Sequence, residues 1–137
     1  MRMPAIALAI AAAVNQFLEK GTDLIITTGG MSVDPDDVTR AAINDAGVNR
    51  IHYGAAVLPG AMFLLGYSNK TVITGIPACG LYHQNTIFDL ILPRILAGEK
   101  PDARDLAGLA HGGLCLDWMA SGNCGCFASL KQSVLLF

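Results

Sequence analysis

Charge is scarce in this chain of 137 residues: Lys, Arg, Asp and Glu make up 15% of it, against roughly 25% in an ordinary soluble domain. Combined with 53% hydrophobic residues, that scarcity excludes disorder for the bulk of the chain, because disorder needs the opposite balance. A formal net charge of −2 and the absence of any Lys/Arg stripe exclude a non-specific nucleic-acid binder. Long apolar runs are lacking too. The longest, Ala5 to Val14, is ten residues, whereas a membrane-spanning helix needs about 20. Four cysteines are too few for a disulfide scaffold, so a reducing cytoplasm is the expected compartment. The length suits one ordinary domain.

What is present is a patterned order of helices and strands. Arg2 before the apolar run, with Ala11, Ala12 and Ala13 after its start, has the look of a secretory signal. Helical spacing nevertheless continues through Ile6, Ile10, Ala13/Val14 and Phe17 to Gly21, which predicts a core-facing helix over 5–20. Residues 22–28 are rich in β-branched side chains and run into Gly29-Gly30, as a buried strand entering a tight turn does. Asp34 suits an N-cap, Pro35 a first helical position, and Asp36 and Asp37 the positive end of a helix dipole, predicting a helix over 35–46 that stops at Gly47. An extended segment over 50–57 turns at Pro59-Gly60, and 71–74 reads as a third strand ending at Gly75. The last helix is expected to start near Gly80 and carry Leu81, Ile87, Phe88, Ile91 and Ile95, with Pro93 kinking or splitting it. Residues 103–137 show no clear periodicity. Alternating strands and helices predict an α/β fold, a three-layer α/β/α sandwich with a mostly parallel sheet, whose ligand sits beyond the carboxyl ends of the strands.

Two loops leave those ends. One offers the hydroxyls of Thr27, Thr28 and Ser32 and the unhindered amides of Gly29 and Gly30; the other runs Gly75-Ile76-Pro77-Ala78-Cys79-Gly80. Backbone amides at a turn into a helix can seat a phosphate, although strand-to-helix turns use glycine in any case. Asp34, Asp36 and Asp37 read either as capping residues or as groups that hold a metal or take a proton. Beside a phosphate they would repel a dianion unless a cation intervened.

The stretch from Asp23 through Thr27-Thr28-Gly29-Gly30-Met31-Ser32 to Asp34-Pro35-Asp36-Asp37 resembles the glycine-rich loop of molybdopterin-binding domains in molybdenum-cofactor biosynthesis. Val57-Leu58-Pro59-Gly60 and Gly75-Ile76-Pro77-Ala78-Cys79-Gly80, then a helix with Phe88 and Pro93, resemble that family's later landmarks in the same order. The resemblance covers roughly residues 5–100, leaving 101–137 as a Cys/Gly-containing tail. It implies molybdopterin as ligand, with Mg or molybdate as accessory species. Thr28, Gly29, Gly30, Met31 and Ser32 would bind it with Gly75, Pro77, Ala78 and Gly80, and Asp37 would stand at the family's functional aspartate. If the chain is active, it would be a molybdopterin molybdotransferase-like transferase. Leu58 and Ala61 replace that branch's lysines, however, and His111-Gly112-Gly113-Leu114-Cys115 is closer to non-insertase molybdopterin-binding proteins. Family members begin with a further strand and helix, so an N-terminally incomplete fold is expected, covered either by a missing segment or by a copy in a homo-oligomer.

Two alternatives stand beside this reading. His111, Cys115, Cys124 and Cys126 could form a metal or redox module, though at an unfamiliar spacing. The chain could also be a non-catalytic interaction fragment. Cys79 and His83 are secondary site candidates, and His52 reads as structural.

Overall fold

The computed structural model describes residues 4–110 apart from 33, 35 and 84, so the tail's His111, Cys115, Cys124 and Cys126 lie outside the described residues. These residues form two compact units: one is the chain up to Gly54 with Met62–Ala78, the other Ala55–Ala61 with the chain from Cys79 onward.

The first unit contains α1 (Ala5–Glu19), β1 (Leu24–Thr28), α2 (Thr39–Asp45), β2 (Asn49–Tyr53), β3 (Leu64–Ser68) and β4 (Thr71–Ile76). The fold is α/β as expected, but the sheet is mixed rather than mostly parallel. Its order is β1-β4-β3-β2, with only β1 and β4 parallel. The reason lies in chain economy. Asn69 and Lys70 alone separate β3 from β4, a connection short enough only for an antiparallel pair, and Asn69 adopts the left-handed conformation (φ 53°) that such a turn needs. Strand β3 was absent from the sequence expectation because Leu64 and Leu65 are both buried, which erases the alternation that marks a half-exposed strand.

Ile25, Leu64 and Ile73 come from three neighbouring strands and pack with Val14 of α1 and Ile43 of α2. Met31, Ala46 and Val48 complete this core. Helix α1 buries Ala7 and Val14 and half-buries Ile10, Ala11 and Leu18, while Ile6 and Phe17, expected in the core, are 63% and 47% exposed. A helix apolar on nearly every side contains more than one heptad-spaced stripe, so periodicity does not choose which one faces the sheet.

Helix α2 is four residues shorter at its start than expected. Asp37 N–H donates to the Asp34 carbonyl at 2.9 Å and Asp34 N–H to Asp37 Oδ2 at 3.2 Å, closing a separate turn where the helix was predicted to begin. The helix starts only at Thr39, whose N–H donates to the Gly30 carbonyl at 3.3 Å.

In the second unit, Ala55–Ala61 includes a cis Leu58–Pro59 peptide, and the Pro59 carbonyl accepts from Ile87 N–H at 3.1 Å. A 3-10 turn (Ala78–Leu81) precedes α3 (Ile87–Leu96), so the last long helix begins at Ile87 rather than near Gly80. Thr86 sets that start: its hydroxyl accepts from Phe88 N–H, and its own N–H donates to Asp89 at 2.7 Å. Helix α3 continues through Pro93 as one element and buries Ile87, Ile91 and Ile95. A further helix, α4 (Ala103–Gly108), is capped by Asp102 and Asp105 and buries Leu106.

Arg94 joins α3 to α4, bonding Glu99 at 2.7 Å and Asp105 at 2.8 Å. Its hydrogen bond, followed by that from Asp102 N–H, holds the Asp105 carboxyl below the ordinary value of 3.8. A carboxyl depressed on folding stabilises the fold above its unfolded pKa and loses that contribution as pH falls through the folded one. Arg94→Gln is therefore expected to lower the thermal midpoint slightly at neutral pH and to converge with the parent at pH values well below 3.8, followed by melting across an acid series.

Candidate functional site

The parallel pair brings the two candidate loops together. Thr27 stands opposite Gly75 and Thr28 opposite Ile76, so the loops after β1 and β4 leave the same sheet edge side by side. That is the position where open α/β sheets present ligands. Of the residues singled out from sequence, Thr28 ends β1, Gly29, Gly30, Met31, Ser32 and Asp37 follow it on the first loop, Gly75 is next to last in β4 and Pro77 and Ala78 lie just beyond it, all in one unit. Gly80, Cys79 and His83 belong to the second unit, around the 3-10 turn, where His83 N–H donates to the Cys79 carbonyl at 3.0 Å.

The first loop is held from three directions. Gly29 and Gly30 both have positive φ, 78° and 62°. A Cβ at Gly29 would meet nothing within 4 Å, whereas one at Gly30 would run into the Thr39 hydroxyl. Met31 turns inward and is 2% exposed, its thioether filling the space left by the missing side chain of Gly75. The foot of the second loop is thus a socket for the first. From the side, the Tyr53 hydroxyl donates to the Met31 carbonyl, its nearest partner, with the Ser32 carbonyl at 3.4 Å and Met62 Sδ at 3.3 Å next. The Arg40 guanidinium stacks on the Tyr53 ring, 4.5 Å from its centroid.

The available polar groups follow from these constraints. Thr27 spends its hydroxyl on the Thr74 carbonyl at 3.1 Å, while Thr28 and Ser32 are exposed. Pro77 is buried and Ala78 exposed. Asp37 is half-buried, with one carboxylate oxygen bonded to Asp34 N–H. No group of three His, Cys, Asp or Glu side chains suited to a metal ion occurs among the described residues.

Sequence reasoning missed Tyr53, Arg40 and Thr39. Tyr53 ends a strand 22 residues from Met31, and its hydroxyl partner is a backbone carbonyl, which carries no residue-type signal. Thr39 was hidden by the misplaced start of α2.

A family model described as a probable molybdopterin binding domain matches residues 4–97, well over half of the chain. No curated protein sequence matches it. Among the described residues, no helix is long and apolar enough to cross a membrane.

Proposed function

The chain belongs to the probable molybdopterin-binding domain family of molybdenum-cofactor biosynthesis, and from that premise we propose that it binds molybdopterin on the paired loops after β1 and β4. The observation that carries this reading is the backbone of the first loop. The Gly30 carbonyl is taken by Thr39 N–H and the Met31 carbonyl by the Tyr53 hydroxyl. In a trans peptide the N–H points opposite to the carbonyl, so the Met31 and Ser32 amides are aimed away from both partners. Among the described residues neither amide has a protein acceptor. Two adjacent unpaired amides after a left-handed glycine pair make a concave nest of the kind that binds a phosphate.

In this reading the phosphate of molybdopterin accepts from the Met31 and Ser32 amides and from the Ser32 and Thr28 hydroxyls. The bare backbone at Gly29 allows close approach. Ala78, exposed beyond β4, borders the pterin, while Gly75 and Met31 act from below by holding the loop. Among the described residues only one Asp37 oxygen is bonded, and the other is available to the ligand's polar edge. Molybdopterin supplies the dithiolene that carries the metal; no residue in this loop pair is assigned a metal-transfer step.

The test is an anaerobic titration with molybdopterin, followed by calorimetry or pterin fluorescence. A single saturable site per folded chain is expected; heat or signal no different from dilution overturns the reading.

A further inference from the structure

Tyr53 does more than pack. It is half-buried against the core at the end of β2, and its hydroxyl reaches the backbone of the glycine-rich loop. A phenol has one proton to donate, and the Met31 carbonyl is its nearest acceptor. Thr39 fixes only the preceding peptide, through the Gly30 carbonyl. The peptide between Met31 and Ser32 has no other tether among the described residues, and without one it is free to turn about its flanking dihedrals. If it flipped, it would present a carbonyl oxygen where the nest needs an N–H, replacing attraction for an anion with repulsion.

We infer that Tyr53 is the positioning residue of the binding loop: by holding the Met31 carbonyl, it keeps the Ser32 N–H turned toward the ligand's phosphate. Arg40 is the second part of the device. Its guanidinium over the ring fixes the ring's orientation and sets a positive charge beside a loop that otherwise carries Asp34, Asp36 and Asp37. Arg40 follows Thr39 directly, so residues anchoring both loop peptides come from the first turn of α2 and the end of β2. This inference rests on reading the loop as the phosphate seat.

The experiment compares the full chain with Tyr53→Phe and Arg40→Ala. Tyr53→Phe removes one oxygen and keeps the ring packed. It is expected to weaken molybdopterin binding roughly tenfold, the size of one lost hydrogen bond to a group that positions an anion. Arg40→Ala, at an exposed residue, is expected to weaken it about threefold. In the ligand-free protein, the Ser32 amide resonance should move in both variants while resonances of α1 stay in place, a local signature that general loss of packing would not give. Wild-type binding with unchanged affinity in Tyr53→Phe overturns the inference and leaves the binding reading intact. If the wild type itself does not bind, the binding reading fails. The ligand-free spectra then decide the positioning role alone, and an unmoved Ser32 amide in Tyr53→Phe overturns that as well. Should Tyr53→Phe fail to fold, Arg40→Ala read by the same spectra decides it.

Discussion

Gly75→Ala is expected to destabilise the first unit by about 1–3 kcal/mol, the usual cost of overpacking a filled site. The cause is specific. A methyl at residue 75 would overlap the Met31 thioether and lie 3.0 Å from Leu64 Cβ, which is anchored on the adjacent strand and cannot retreat. The Met31 methyl must therefore swing aside within a filled core, which strains the loop that Met31 anchors. Met31→Ala alone should cost about 2–5 kcal/mol, since it empties a buried position. In the double variant the new methyl occupies part of the space that Met31 vacated, so the combined loss should fall short of the sum by about 1 kcal/mol or more. Denaturant unfolding of the two single variants and the double variant measures this coupling. Strict additivity would mean that Met31 and Gly75 do not share one space.

Gly30→Ala should combine a stability loss of about 1–3 kcal/mol with a large loss of ligand affinity. At φ 62° any side chain is disfavoured, and here the Cβ would also displace the hydroxyl of Thr39, a residue only 6% exposed. Because Thr39 N–H also holds the Gly30 carbonyl, relief of the clash requires moving the peptide that aims the Met31 amide. Gly29→Ala provides the control. Its φ of 78° carries a similar backbone cost, but its Cβ meets nothing. It should destabilise by about 1–2 kcal/mol, the left-handed backbone cost alone and less than the loss in Gly30→Ala, and leave the nest in place, apart from steric interference with the ligand itself. Paired melting and molybdopterin titration of the two variants separates backbone strain from collision. Equal stability losses would show that the collision with Thr39 is relieved at no cost.

Local chemistry was the part of the fold that could be read from sequence. β-Branched residues running into Gly29-Gly30 marked β1 and its loop, and 71–74 before Gly75 marked β4; together they predicted two loops at one sheet edge. Long-range competition hid the rest. Asp34-Pro35-Asp36-Asp37 carries strong helix-start signals, yet the Asp34 and Asp37 bonds and the pull of the Gly30 carbonyl on Thr39 move the helix start to Thr39. The buried pair Leu64-Leu65 concealed β3, and with it the antiparallel half of the sheet. Along α1, apolar residues on every side left the buried stripe undetermined. The Asp102 and Asp105 caps that start α4 were overlooked because its six residues are too few to show a period. Gly75 was read as a backbone cradle for a ligand, but its missing side chain first serves to admit Met31, a fact that only the register of β1 against β4 reveals.

In this reading the loops after β1 and β4 form one binding surface. Following the anaerobic molybdopterin titration amide by amide on isotope-labelled protein tests it most directly. Saturable shifts are expected to concentrate at Thr28 to Ser32 and at Ile76 to Ala78, with the Met31 and Ser32 amides moving most. Saturable shifts centred elsewhere, for example on α4, with residues 28–32 unmoved, would contradict it.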